Sequence, residues 1–393
     1  MKVIVVVQGR FHAFDLAREL TQRGALARLF TSYPKYKAAE FGVRRHFVST
    51  VISNEIMARL WNKMPGRWRG GHNAQYYLAE RFDRIVAGRL FWADILVGWS
   101  GCSLHTMHQA KRMGMITILE RGSAHMLEQQ KLLHDEYDML GLSYRETHPG
   151  IVEKELLEYE LADYIAIPSQ FVKQSFQKYG ISEKKLICNP YGVDLDHFFP
   201  ATKHDNVFRI IHCGAISIRK GVQYLVRAFV ELNLKNCELW LVGSITPEMA
   251  PWIKKYSRNN IVLHGPKPQN ELSQYYSQCD VFCVASIEEG LAMVILQAMA
   301  CGLPVICTTN SGGCDVVRNH REGFIVPIRD VNAIKENILW CYENREQCQA
   351  MGRAAQHRAQ QGFTWADYGC RALENYKTIS RNAQPADGFI NPK

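Results

Sequence analysis

The run DVFCVASIEEGLAMVILQAMACGLPVICT, from Asp280 to Thr308, decides the fold. Val281 to Ala285 is a short unbroken apolar run, the pattern of a strand buried on both faces of a parallel sheet. A polar turn follows with Glu288, Glu289 and Gly290. Val294 to Ala300 holds good helix formers and stops at Cys301-Gly302. Leu303-Pro304 then turns the chain into a second apolar run, Val305 to Thr308. Strand, loop, helix and strand make one α/β unit. In open parallel sheets, ligands bind beyond the carboxyl ends of the strands, beside helix N-termini. The turn holding Glu289 and Gly290 lies at such a place. Its backbone N–H groups and the helix dipole can hold an anion, and its carboxylate can instead take hydroxyl protons from a polyol. A phosphate beside a sugar, as in a nucleotide-sugar, satisfies both. The plain alternative is a sheet-packing unit with a solvated glutamate pair.

The rest of the chain limits what such a unit can belong to. Its 393 residues suggest two or three domains. No apolar run approaches the roughly 20 residues of a spanning helix. The start, MKVIVVVQG, has too short an apolar stretch for a signal peptide and reads as a first buried strand. A cytoplasmic protein is expected, with an inner-membrane-face location as an extension of that. The 12 cysteines are scattered and form no C-x-x-C pair, which argues for reduced, buried thiols over zinc or redox motifs. Cys314, in a Gly-rich loop, is the one to watch for reactivity. The net charge is +9, and residues 1–100 hold 16 Lys and Arg against 7 Asp and Glu. A basic excess confined to one region suggests an anionic partner there.

In chain order, residues 3–7 read as a strand, Ala13 to Thr21 as an amphipathic helix and Leu26 to Phe30 as a second strand. No G-x-G occurs, so nicotinamide binding is poorly supported, and without G-K-[ST] there is no P-loop. Residues 33–73 are basic and aromatic. Ser53 can cap a helix with Ile56, Leu60 and Trp61 on one face. This region, 35–70 above all, is either a membrane-contact surface or an insertion packed on its own core. Nucleic-acid binding is not expected, because no recognised module accompanies the charge. Further strands are expected at 94–98, 116–119, near 164 and at 186–189. A polar linker at 201–206 separates a second α/β region, with strands at 208–213, 238–242 and 261–264, the quoted unit, and 322–330. Arg219-Lys220-Gly221 precedes a helix there, and two cations at a helix start can clamp a diphosphate leaving group. Asp194-x-Asp196 has the look of a metal motif but sits in a hinge-like run. The residues from Arg381 onward read as a loose tail.

The quoted unit resembles the signature of retaining GT-B glycosyltransferases of family 4, the glycosyltransferase group 1 domain. That signature has two glutamates separated by seven residues and then an A-M-A-C-G-x-P-V-I run. Here Glu289 fills the first position and Gln297 the second, and Ala292 replaces a loop glycine. The PYGVDLDHFFP run from Pro190 adds to the resemblance, which extends over roughly residues 2 to 380. It implies an α/β fold of two Rossmann-like domains facing each other across a cleft. The acceptor-side domain would span 1–200, with a final helix near 365–380 packing back on it, and the donor-side domain 201–362.

The resemblance also implies roles. Glu289 would face donor-sugar hydroxyls and Gln297 the ribose, where an amide loses the charge but still accepts through oxygen. Arg219 and Lys220 would neutralise the departing diphosphate, assisted by amides near Met293 and Val294. Gly9, Gly214 and Gly290 would let the backbone approach the donor, and the loop with Lys267 would meet the base. His125, in the ERGSAH loop, is the candidate for contact with the sugar or leaving phosphate; a structural histidine is the alternative. The expected reaction is hexosyl transfer from a nucleotide-sugar to a hydroxyl of a glycan or lipid-linked acceptor, with retention. It would serve cell-surface polysaccharide or glycolipid biosynthesis and need no cofactor and no obligatory metal. A non-catalytic partner subunit and a nucleotide-sugar epimerase of the same fold are the alternatives.

Overall fold

The computed structural model describes residues 1–63 and 74–383. Among these residues the strands form two parallel sheets. The first contains β1 (Val3–Val7), β2 (Leu26–Thr31), β3 (Val48–Thr50), β4 (Ile95–Trp99), β5 (Ile116–Glu120), β6 (Tyr164–Ile167) and β7 (Leu186–Cys188). Their order is β3-β2-β1-β4-β5-β6-β7. The second contains β8 (Phe208–Cys213), β9 (Cys237–Val242), β10 (Ile261–Leu263), β11 (Val281–Val284), β12 (Val305–Thr308) and β13 (Gly323–Val326), ordered β10-β9-β8-β11-β12-β13. Helices cover both faces of each sheet. That is why β1, β4 and β11 are buried at every position and carry unbroken apolar runs rather than alternation, while β8 and β12, equally buried, hold Arg209, His212 and Thr308 among their apolar residues.

Strand order reverses between β1 and β4 in one sheet and between β8 and β11 in the other. A crevice opens at such a switch, because successive crossovers leave in opposite directions. The two switch points face each other, which sets the loops after β1, β4 and β5 opposite those after β8 and β11.

Two helices tie the halves together. Met126–Met139 follows the β5 loop and lays Tyr137 against the second core. Its Glu136 is fully buried and accepts from Gln223 Nε2 at 2.9 Å, Tyr224 Oη at 2.7 Å and Arg329 Nε at 2.6 Å, all from the second half. The last helix, Trp365–Ala383, returns to pack on Ala13–Gln22. Arg23 meets the Ala366 carbonyl there at 2.9 Å.

Four local expectations change. β3 lies inside the basic stretch, where three residues are too few to show a period. The helix near it is Ile52–Lys63, so Ser53 lies within the first turn rather than capping it, and its hydroxyl accepts from Arg81 instead. Ile56 and Leu60 point to solvent, at 52% and 61% exposed, rather than into a private core. The tail expected from Arg381 begins as helix through Ala383; its remainder, and 64–73 of the basic stretch, lie outside the described residues.

Candidate active site

Between the two switch points lies a cavity of about 1340 Å³. Its first-domain wall is built from loop ends: Gly9 and His12 after β1, Ser100 after β4, and Glu120 to Ser123 around the end of β5. Its second-domain wall presents Arg219, Glu289, Leu291 and Met293. Gly9 sits at φ +98°, a conformation that only glycine adopts without strain, and its carbonyl accepts the Thr31 hydroxyl at 2.7 Å.

The charged centre is a four-residue cluster. Lys220 pairs with Glu289, whose second oxygen accepts the Ser286 hydroxyl at 3.1 Å. Burial pushes the Glu289 carboxyl up, but Lys220, Arg219 and Ser286 outweigh it and hold the group below its ordinary value. Arg219 pairs with the fully buried Glu288 at 2.8 Å, donates to the Glu288 carbonyl at 3.1 Å and reaches Ser123 of the other domain at 3.2 Å. Glu288 also accepts the Ala124 N–H at 2.9 Å, so its carboxylate bridges both halves. The loop after β8 and the loop after β11 thus lock each other through two ion pairs. The helix Met293–Ala300 begins immediately behind them with no side-chain cap on its first amides.

The walls meet closely at Gly290. Its carbonyl accepts the Ser169 hydroxyl at 2.5 Å, and a Cβ there would drive into the Gly122 carbonyl. Glycine is required at this point by contact between the domains rather than by its own dihedral angles.

The structure gathers Glu289, Arg219, Gly9 and Met293 on the cleft, with Lys220 bound to Glu289 just behind. It does not bring every sequence-selected residue there. Val294 is half-buried in the first turn of its helix. Gln297 lies in the interior, 7% exposed, with its Oε1 3.5 Å from the Tyr276 hydroxyl. Gly214 sits at φ +130° and packs its carbonyl against Gly243. Lys267 lies over the Tyr275 ring at 5.4 Å. His125 caps the helix Met126–Met139 through Nδ1 and stacks on Tyr179 at 4.6 Å. Burial and the neighbouring Arg121 lower its pKa to about 4, which keeps the ring neutral. His125, Gln297, Gly214 and Lys267 are not among the residues lining the cleft. Asp194 spends its carboxylate locally, on the Asp196 N–H at 3.0 Å and the His197 ring at 2.8 Å.

Other residues join the site without a sequence signal of their own. Glu288 stands in the quoted turn, but the signature spacing points to Glu289 alone, and only the tertiary burial of Glu288 shows what it does. His12, Glu120 and Tyr191 come from three distant segments, and no spacing rule links them.

Comparison with known proteins agrees with this architecture. Residues 194–358 match the family model "Glycosyl transferases group 1". The D-inositol 3-phosphate glycosyltransferase of Paenarthrobacter aurescens is 26% identical over 92% of this chain and 90% of its own length. The GDP-mannose-dependent alpha-(1-6)-phosphatidylinositol monomannoside mannosyltransferase of Mycolicibacterium smegmatis is 26% identical over 54% of this chain, and the match spans 62% of that protein. Among solved structures, sucrose-phosphate synthase of Thermosynechococcus elongatus superposes with a TM-score of 0.74 at 16% identity, over 98% of this chain and 100% of that one. HepE of Anabaena, solved with UDP and glucose, gives 0.68 at 16% identity, over 96% of this chain and 100% of that one. At such identity the structural likeness speaks for the fold. The chain therefore has the GT-B fold, two Rossmann-like domains across a cleft, and its residues 194–358 are similar to the glycosyl transferases group 1 family.

Proposed function

We propose that this protein is a glycosyltransferase that moves a hexosyl unit from a nucleotide-sugar to a hydroxyl acceptor with retention of anomeric configuration, in the synthesis of a cell-surface polysaccharide or glycolipid. The observation that carries the reading is the Lys220–Glu289 pair beside Arg219 at the start of a helix on the cleft wall. Lys220 and Glu289 neutralise each other by their pairing. A donor offers each another partner, since its diphosphate competes for Lys220 and Arg219 while its sugar hydroxyls donate to Glu289. Charge that develops on the diphosphate as the glycosidic bond breaks then meets fixed cations and helix amides. Two cations at this point can replace the divalent metal that a diphosphate otherwise attracts. The remaining work is alignment of acceptor and donor in a cavity large enough for both.

A lipid-linked acceptor fits the surface next to the cleft. One edge of the helix Ile52–Lys63 lines the cavity through Asn54, Ala58 and Trp61. Another edge exposes Ile52, Ile56, Met57 and Leu60 to solvent. Four exposed apolar side chains at helical spacing, in the basic part of the chain, suit insertion into an anionic bilayer surface.

The test begins with thermal stability in UDP, GDP, ADP and CDP, first without metal and then with magnesium. The base that raises the midpoint by several degrees selects the nucleotide-sugars for a turnover assay, with the anomeric configuration of the product read by NMR. Release of free sugar or an epimer without acceptor would point to epimerase chemistry. Binding with transfer from no donor would point to a partner subunit. Sedimentation with anionic and zwitterionic vesicles, for the wild type and for Leu60→Asp, tests the membrane face.

A further inference from the structure

Tyr191, in the P-Y-G-V-D run after β7, is 5% exposed and lines the cleft. A buried phenol normally hands its hydrogen to a protein acceptor. Tyr159 gives its own to Glu155 at 2.6 Å, and Tyr368 to Glu120 at 3.3 Å. Tyr191 Oη has no hydrogen-bond partner among the described residues. The carboxylates around it are engaged elsewhere. Glu120 lies 3.3 Å from His12 Nε2 through Oε2 and takes Tyr368 on Oε1, while Glu289 is held by Lys220 and Ser286. The backbone that carries Tyr191 is fixed on both sides. Asn189 N–H donates to the Ile167 carbonyl at 2.8 Å and Val193 N–H to the Phe363 carbonyl at 2.8 Å, and Arg371 reaches the Pro190 carbonyl at 2.8 Å. The ring lies against His12, with centroids 4.3 Å apart. A Cβ on Gly122 would stand 2.8 Å from Oη, so the phenol keeps its place only because that loop residue has no side chain. The backbone of the same Gly122 meets Gly290, next to Glu289. Burial raises the phenol well above its ordinary value; Glu120 adds to this, Arg121 opposes it and Glu289 adds a smaller push. The group stays protonated, a fixed hydrogen-bond donor at the seam where the Glu289 turn meets the first domain.

We propose that Tyr191 is a specificity-determining residue, which donates its phenol hydrogen to one hydroxyl oxygen of the transferred sugar. This rests on the transferase reading above, in which Glu289 accepts from the same sugar. A sugar hydroxyl is donor and acceptor at once, whereas a carboxylate only accepts. Glu289 therefore reads hydroxyl hydrogens, and Tyr191 reads an oxygen lone pair from the first-domain side. A donor and an acceptor held on separate walls distinguish sugars that differ at one stereocentre. An epimer turns the oxygen away and leaves the phenol buried and unpaired, which is the strongest form of discrimination between close analogues. The phenol moves no proton and makes no bond to carbon.

The experiment uses the full chain, as wild type and as Tyr191→Phe, with the nucleotide-sugar that turns over and the monodeoxy forms of that donor. Phenylalanine keeps the ring on His12 and removes only the hydroxyl. With the intact donor, kcat/KM should fall about fivefold to tenfold, the range for one neutral hydrogen bond. The thermal midpoint, and its shift with the nucleoside diphosphate, should stay at the wild-type values, since the diphosphate carries no sugar. One monodeoxy donor should abolish the difference between the two proteins while the others preserve it, a double-mutant cycle with the substrate as one partner. A Tyr191→Phe protein within about twofold of wild type on the intact donor overturns the proposal. So does a difference that persists undiminished with every monodeoxy donor, the mark of a structural role. If the wild type itself transfers from no donor, the transferase reading falls together with this one. If the wild type transfers and either overturning result appears, only this one falls.

Discussion

Replacing Glu136 by Ala should loosen the two domains from each other. The side chain is fully buried and takes three hydrogen bonds from the opposite half, from Gln223, Tyr224 and Arg329. Removing one partner of a buried ion pair costs about 3–5 kcal/mol, mostly because the remaining charge is left unpaired. Here Arg329 is 26% exposed and already touches the Leu132 carbonyl at 3.4 Å, so it recovers part of its solvation. Against that, Gln223 and Tyr224 lose an acceptor, at about 1 kcal/mol each. A loss of about 3 kcal/mol is therefore expected for Glu136→Ala, and about half of that for Glu136→Gln, which keeps the shape and one acceptor oxygen. Arg329 adds a second handle. It stands at φ +66°, and its guanidinium is the only described cation paired with Glu136. A double-mutant cycle with Arg329→Ala should show a coupling of at least about 1.5 kcal/mol. Urea unfolding at one pH, followed by both fluorescence and circular dichroism, measures these values, and the two probes should separate in the variant as the domains lose cooperativity. A Glu136→Ala protein within about 0.5 kcal/mol of wild type, or a coupling near zero, would refute the reasoning.

Other outcomes follow from the same geometry. Lys220→Ala should abolish most turnover while the protein stays folded; near-normal turnover in a folded variant would sink its assignment to the leaving group. Because the Glu289 carboxyl is held below its ordinary value, its contribution to stability is present above the unfolded pKa of about 4.5 and lost as pH falls through the lower folded value. Unfolding free energy measured from about pH 6 to pH 3 should thus drop more steeply for wild type than for Glu289→Gln. Gly290→Ala should cost about 1–3 kcal/mol and weaken diphosphate binding, since the added methyl meets the backbone of Gly122 and not a movable side chain. Among the 12 free cysteines only Cys314 and Cys370 are exposed, so two thiols should react in the native protein and the rest on unfolding. Burial and the nearby Asp315 raise the Cys314 thiol, which should make it slower than an ordinary exposed cysteine.

Much of the framework was written locally. The strands at Val3–Val7 and Val281–Val284 are unbroken apolar runs, and burial on both faces leaves no other stable use for them. Glu289 and the Arg219-Lys220 pair were legible because each sits where a strand gives way to a helix, a place defined by neighbours in sequence. What tertiary structure decided is which side chains leave those places. Glu288 and Glu289 are adjacent and chemically alike, yet the first is sealed against Arg219 and the Ala124 amide while the second faces the cleft. His125 stood in a promising loop, but its ring turned toward Tyr159, Phe176 and Tyr179 to cap a helix that carries no strong period of its own. That helix is weakly patterned because it serves two cores at once, so its apolar residues are not confined to one stripe. His12, Glu120 and Tyr368 lie up to 356 positions apart. Sequence spacing carries no information about such a cluster; two sheets closing over one cleft, and a last helix crossing back, put the three in contact.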